Sequence, residues 1–259
     1  MLTGFKVLIT GASSGIGKST AITMSRHGAS VFGTGRNEDA LKELVNDKTL
    51  VGYAIADLTI DNECQRVVNI ANEILGGLTT VVNSAGVLQG GGMDTATLEN
   101  FKYNFRGNVQ TVFEIIEHSI PYLKQSSSEF PSSIINISSV NGKQSFRGCA
   151  TYCASKAAVD QLTRCASLDL APFNIRVNAV NPGVVETPLQ RRGGMSDENY
   201  QAFLDRSINV THPLAAALGR VAQPEEVGEL ISFLASKNAA FITGECIAID
   251  GGRQNLGAR

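Results

Sequence analysis

The sequence carries no excess of charge of either sign: 22 Lys and Arg stand against 24 Asp and Glu in 259 residues, a formal net charge of −2. Its basic residues are scattered, so it offers no electrostatic footprint for nucleic acid or for an anionic membrane surface. It has no stretch of about 20 apolar residues that would span a bilayer. The opening run Met1 to Thr10 passes directly into glycines, without the longer apolar stretch and cleavage site of a signal peptide. The cysteines, Cys64, Cys149, Cys153, Cys165 and Cys246, are odd in number and form no CxxC pair. That argues against a disulfide framework and a structural zinc site. His27, His118 and His212 are far apart and lack companions at ligand spacing, so no metal is expected. No internal repeat or linker divides the chain. What remains is the expectation of a cytoplasmic, reduced protein with 1–259 as a single domain, in which 43% apolar residues supply a substantial core.

Short β-branched runs alternate with longer helical patterns, the sign of βαβ units and a parallel sheet. Strands are predicted at Lys6 to Thr10, Ser30 to Gly33, Val51 to Ile55, Thr80 to Asn83, Ser133 to Ile137, Arg176 to Val180 and Glu245 to Ile249. Apolar residues recurring every three and four positions predict helices near Ile16 to His27, Glu38 to Val45, Asn62 to Leu75, Leu98 to Lys124, Tyr152 to Leu170 and Glu225 to Ala235. The expected fold class is α/β: a doubly wound, seven-stranded parallel sheet flanked by helices, Rossmann-like. Gln125 to Ser132 and Thr187 to Arg220 read as long irregular segments. The second follows a strand end, where open α/β sheets bind ligands, and is expected to form a substrate lid at about 187–220.

The first strand runs into Thr10-Gly11-Ala12-Ser13-Ser14-Gly15-Ile16-Gly17 and a helix pattern follows at once. Glycines there let the backbone approach a pyrophosphate, and the helix N-terminus favours the anion. The spacing, Gly-x-x-x-Gly-x-Gly, differs from GxGxxG, and a glycine triplet alone is equally compatible with plain turn chemistry. Tyr152 and Lys156, spaced i,i+4, share a helix face. An ammonium beside a phenol favours the phenolate and moves it toward the range of acid/base work. An isolated pair of this kind is more often a surface aromatic on a lysine stem. Ser138-Ser139 end a buried strand, so a hydroxyl sits where the sheet opens and can polarise a substrate oxygen.

In combination these residues resemble the short-chain dehydrogenase/reductase family over essentially the whole chain. Thr10 to Gly17 matches its TGxxxGIG turn, Asp57-Leu58 resembles its adenine-contacting segment, and Asn83-Ser84-Ala85-Gly86 resembles its NNAG, with Ser84 in place of the second Asn. Asn108, Ser139, Tyr152 and Lys156 look like its Asn-Ser-Tyr-Lys tetrad. Asn104 competes with Asn108, which is preferred because Pro121 lies thirteen residues beyond it. Asn181-Pro182-Gly183 with Val185 and Thr187 is similar to the segment closing over the nicotinamide, and Asp250-Gly251-Gly252 to the C-terminal strand ending.

The resemblance implies a metal-free oxidoreductase that moves a hydride between nicotinamide and a ketone or secondary alcohol. Gly11, Ser13, Ser14, Gly15, Ile16, Gly17, Arg36, Asp57, Leu58, Asn83, Ala85, Gly86, Tyr152, Lys156, Pro182, Gly183, Val185 and Thr187 would meet the cofactor. Tyr152 would donate the proton, Ser139 would hold the carbonyl oxygen, Lys156 would lower the tyrosine pKa and bind the ribose, and Asn108 would place a relay water. After the second strand, Gly35 stands where an acidic residue would select NAD(H), and Arg36 follows at once; NADP(H) is therefore expected over NAD(H). Against that, Ser14 stands where many NADP-dependent relatives carry a second basic residue. Gly90 to Asp94, Val140 to Phe146 and Val184 to Leu214 would form the substrate pocket; Arg191 and Arg192 could meet a phosphate or carboxylate on a substrate, but are read as solvated lid charges. A 3-oxoacyl-thioester reductase, a catalytically silent dinucleotide binder and an extended-fold epimerase are the alternatives; the last carries a GxxGxxG turn absent here. Assembly as a homotetramer or homodimer is expected through helices Leu98 to Lys124 and Tyr152 to Leu170 and through the last strand.

Overall fold

A computed structural model describes residues 1–126 and 130–256. The strands are β1 (Lys6–Thr10), β2 (Ser30–Gly35), β3 (Gly52–Ile55), β4 (Thr80–Asn83), β5 (Ser132–Ile137), β6 (Ile175–Pro182) and β7 (Cys246–Ile249). All pair in parallel in one sheet of order β3-β2-β1-β4-β5-β6-β7. The helices are α1 (Gly15–Arg26), α2 (Glu38–Asn46), α3 (Glu63–Leu75), α4 (Leu98–Phe105), α5 (Thr111–Leu123), α6 (Ala150–Leu170), α7 (Leu189–Arg192), α8 (Asp197–Arg206), α9 (Pro213–Leu218) and α10 (Pro224–Ala235).

Strand alternation sorts the core into two layers. Val7 and Ile9 of β1 pack with residues of α1, α2 and α10 on one face of the sheet, while Leu8 between them packs with α3, α5 and α6 on the other. The chain winds outward from β1 through β2 to β3, then returns to place β4 beside β1 and winds the opposite way. The connections leaving β1 and β4 therefore diverge and open a crevice at their C-terminal ends, where such folds bind ligands. Among the described residues no helix is long and apolar enough to cross a membrane.

Three departures from the sequence expectation have physical causes. β6 runs to Pro182, and two of its interior amides find acceptors: the Asn178 side-chain amide donates to the Ile242 carbonyl at 2.9 Å and that of Asn181 to both Asp160 carboxylate oxygens at 3.0 and 2.9 Å. The expected helix Leu98 to Lys124 is α4 and α5 joined by a π turn at Arg106–Gln110. The segment 187–220 is not irregular but carries α7, α8, a π turn at Ser207–Thr211 and α9. Its longest helix, α8, buries only Tyr200, so it lacks an apolar stripe; its start is fixed by Ser196, whose hydroxyl accepts from the Asn199 amide at 3.3 Å. Of the other expected irregular stretch, Ser132 opens β5, and 127–129 lie outside the described residues.

Candidate active site

A cleft of about 660 Å³ occupies the crevice. One end is made of backbone. Ser14 stands at the N-cap of α1 without a side-chain bond to the first turn, so the leading amides of the helix keep their donors for the cleft that the turn lines. Gly17 permits the tight turn, since a Cβ there would lie 2.3 Å from the Gly11 carbonyl oxygen. The Thr10 hydroxyl accepts from the Ser84 and Ala85 amides at 3.1 and 3.0 Å, which binds the β1 turn to the end of β4. At the end of β2, a Cβ on Gly35 would meet the Ser13 hydroxyl at 2.6 Å, so an acidic side chain is disfavoured there. Arg36 instead projects beside Asp57, guanidinium to carboxylate 3.8 Å. Burial pushes the Asp57 carboxyl up, but the Thr59 hydroxyl and amide together with Arg36 outweigh it and hold the group below its ordinary value. From α7, Arg192 reaches back and donates to the Ser14 hydroxyl at 2.9 Å. These donors, the uncapped helix end and the two guanidinium groups fit a dinucleotide carrying phosphates.

The middle of the cleft holds the acid/base groups. Tyr152 and Lys156, one turn apart on α6, and Ser139 beyond β5 all line it, and all three are at least nine-tenths buried. Lys156 Nζ donates to the Ile137 carbonyl at 2.8 Å and lies 5.8 Å from the Tyr152 ring centre. Burial pushes the Tyr152 phenol up to about 12, with the Ser139 hydroxyl drawing it back only in part. Burial also pushes the Lys156 ammonium down to about 8, against the pull of Asp160. Desolvation dominates the Tyr152 shift, and Ser139 is the group that opposes it. Ser139 is held from behind: its carbonyl accepts from the Asn181 side chain at 2.9 Å, the same amide that reaches Asp160.

Residues 11–254 match a family model described as enoyl-(acyl carrier protein) reductase. The chain is 34% identical over 256 residues to the 3-oxoacyl-[acyl-carrier-protein] reductase FabG of Thermotoga maritima, covering 97% of this chain and 98% of the relative. The chain belongs to the short-chain dehydrogenase/reductase family. A Caenorhabditis elegans short-chain dehydrogenase/reductase of unknown function, solved with cofactor, superposes with a TM-score of 0.89 at 32% identity, over 99% of this chain and 97% of that one. A Pseudomonas aeruginosa RhlG/NADP complex gives a TM-score of 0.87 at 30% identity, over 98% and 97%. This short-chain dehydrogenase/reductase is accordingly an oxidoreductase of the CH–OH/C=O class that uses a nicotinamide dinucleotide.

Within this short-chain dehydrogenase/reductase, Gly11, Ser13 to Gly17, Arg36, Asp57, Leu58, Ala85, Gly86, Pro182, Gly183, Val185 and Thr187 all line the cleft. Asn83 does not. Its side chain is buried within the sheet, where its amide donates to Asn136 Oδ1 at 2.9 Å, because β4 is a central strand and turns that side chain inward. Asn108 is fully buried below the cleft wall. Its Oδ1 accepts from the Val87 amide at 2.8 Å, and its amide donates to the Val87 carbonyl and the Ser155 hydroxyl, both at 3.0 Å. Asn104 repeats the arrangement one turn earlier, on the Gln89 amide and carbonyl and the Thr151 hydroxyl, at 3.0, 2.9 and 2.8 Å. Asn108 is the one beside the lysine, since a Cβ on Gly86 would lie 3.2 Å from its Oδ1 and 3.6 Å from Lys156 Nζ. It is a positioning residue, not a group on the cleft surface.

Sequence reasoning also missed three residues. Arg191 does pair outward, with Asp197 at 2.8 Å, but Arg192 turns to the phosphate turn, a split that the 100° step between helical neighbours would have allowed. His212 Nε2 accepts from the Val184 amide at 3.0 Å and so ties 187–220 to the end of β6; burial lowers its pKa and suits the neutral ring that this acceptor role needs. Arg253 lines the cleft from beyond β7, a position with no motif to mark it.

Proposed function

We propose that the protein is an NADP(H)-dependent oxidoreductase that interconverts a ketone and a secondary alcohol, with Tyr152 as the proton donor in reduction. The observation that carries this reading is the meeting of Ser139, Tyr152 and Lys156 on one wall of a cleft whose end is a phosphate-binding turn. When bound, the nicotinamide supplies the hydride. A phenol pushed up to about 12 stays protonated at neutral pH, the state a donor requires. Ser139 holds the carbonyl oxygen against Tyr152 Oη. Lys156 binds the ribose, and Asn108 fixes the Val87 backbone beside it. Asp57 and Leu58 receive the adenine. Pro182, Gly183, Val185 and Thr187 cover the nicotinamide, and the segment 187–220 acts as a lid that excludes water.

NADP(H) is favoured over NAD(H) because a carboxylate is disfavoured at Gly35, and because Arg36 and Arg192 bring two guanidinium groups to the phosphate end. Arg192, supplied by the lid, stands in for the basic residue that Ser14 lacks. Titration of NADPH and NADH into wild type, Arg36→Ala and Arg192→Ala tests this. The expected result is tighter NADPH binding by wild type and a loss of about ten- to hundredfold in Arg36→Ala, the worth of one charge-assisted bidentate contact. Equal wild-type affinities, or an unchanged NADPH affinity in Arg36→Ala, would refute the assignment. The likeness to the Thermotoga enzyme favours a 3-oxoacyl-thioester reductase as a second reading. Absorbance at 340 nm over ketones, aldehydes and 3-oxoacyl thioesters separates the two. Exposed Phe101, Tyr103 and Phe113 on α4 and α5 and Leu168 on α6 support assembly as a homotetramer through those helices; a stable monomer in sedimentation at micromolar concentration contradicts it.

A further inference from the structure

The end of the cleft away from the phosphate turn has an uneven charge. Arg147 and Arg253 line it, whereas the one carboxylate on the cleft wall among the described residues is Asp57, at the opposite end beside Arg36. Arg147 is exposed, but Arg253 is half-buried and held in place. Its guanidinium lies 5.2 Å from the Phe146 ring centre, and its backbone segment is pinned by Gln144, whose side-chain amide donates to the Gln254 carbonyl at 2.8 Å. Among the described residues the one side-chain bond of its guanidinium is a long one, 3.5 Å to Asn141 Oδ1, and none of their carboxylates pairs with it. Asp250, the acid whose field reaches it, accepts from the Gly252 and Gln254 amides at 2.9 and 2.7 Å, and the charge of Arg206 works against that of Asp250. Arg253 lines the same cleft as Tyr152. A half-buried guanidinium with unspent donors, backed by an aromatic ring and facing a cavity, is an incomplete ion pair.

We propose that Arg253 completes that pair with the substrate, and that the substrate is an oxo acid or its hydroxy acid: a ketone or secondary alcohol carrying a carboxylate on the part of the molecule remote from the reacting carbon. A planar carboxylate matches the guanidinium fork in two parallel bonds, and the Phe146 ring keeps that fork in one plane. The inference rests on the oxidoreductase reading of the cleft and adds to it the charge of the substrate.

Matched probes test it: 4-oxocyclohexanecarboxylate and its methyl ester as substrates, with cyclohexanecarboxylate and cyclohexanecarboxamide as ligands of the NADPH-saturated protein in calorimetry. In wild type, kcat/KM for the acid should exceed that for the ester by about tenfold or more, mostly through KM, and the carboxylate should bind where the amide does not. In Arg253→Met the acid-to-ester ratio should collapse toward one and carboxylate binding should be lost. Arg253→Lys, which keeps the charge without the fork, should retain part of both, and NADPH binding reports that each variant is folded. A wild type indifferent to the carboxylate, or a preference that survives in both variants, overturns the anchor. Carboxylate binding through Arg253 without turnover of any carbonyl would preserve the anchor and refute the oxidoreductase reading.

Discussion

The two ends of the cleft are built from different materials. The phosphate end is framed by backbone, with Arg36 and Arg192 at its edge: an uncapped helix start, a Gly17 whose Cβ would lie 2.3 Å from the Gly11 carbonyl oxygen, and a Thr10 hydroxyl that accepts from the two amides after β4. The far end is side chain: Phe146, Arg147, Phe203 and Arg253, brought in from three separate stretches of chain. Backbone geometry recognises what every dinucleotide shares, and it does so without choosing among substrates. Side chains on connecting segments can be exchanged without disturbing the sheet, so the choice of substrate resides there.

Several substitutions sharpen or break this contrast. The largest effect is expected between the two ends, where Tyr152→Phe removes only a proton donor: kcat should fall by about 10²–10⁴-fold while the NADPH dissociation constant hardly moves. Steady-state kinetics paired with fluorescence titration decides it, and retained turnover would remove Tyr152 from the reaction. Gly17→Ala strikes the backbone end, where the new Cβ cannot avoid the Gly11 carbonyl. It should weaken NADPH binding more than tenfold and lower stability by about 1–3 kcal/mol. An unchanged affinity would mean that the turn is not the phosphate cradle.

The smallest effect is a pH dependence. Lys156, pushed down to about 8 from 10.5, loses its ammonium as pH rises through 8, so NADPH affinity should decline above that pH in wild type and stay level to about pH 10 in Lys156→Arg. Stability moves the other way. The unfolded chain holds this proton more tightly, so the cost of the buried charge is fully present below pH 8 and is relieved between about 8 and 10.5. Urea midpoints across that window should rise in wild type relative to Lys156→Met.

The sheet and the phosphate end were legible because each rests on a local pattern: short β-branched runs for the strands, and a glycine spacing whose meaning is set by the strand before it and the helix after it. Tyr152 and Lys156 were legible for the same reason, as one turn of one helix. The motifs of Asn83 and Asn108 give their place in the chain but not which way the side chain faces, and both side chains turn to the interior. Arg192, His212 and Arg253 act on partners 178, 28 and 112 residues away, on Ser14, Val184 and Asn141, and no spacing rule reaches so far. In the expected pocket stretch Gly90 to Asp94, the Gly91 amide and carbonyl bond to Gly148 and Ala150 at 2.8 and 3.1 Å, a pairing with no local signal.

Asn104 and Asn108 present to the chain after β4 what a neighbouring strand would present: a carbonyl for each amide and an amide for each carbonyl, at Val87 and Gln89, two residues apart. The two carboxamides act as a surrogate strand. They prolong the pairing past Asn83 with no further strand beside it, so the backbone at Val87 and Gln89 is held as a strand would be held. Hydrogen exchange at the Val87 and Gln89 amides should therefore follow the rhythm of the strands and not that of the loop that contains them.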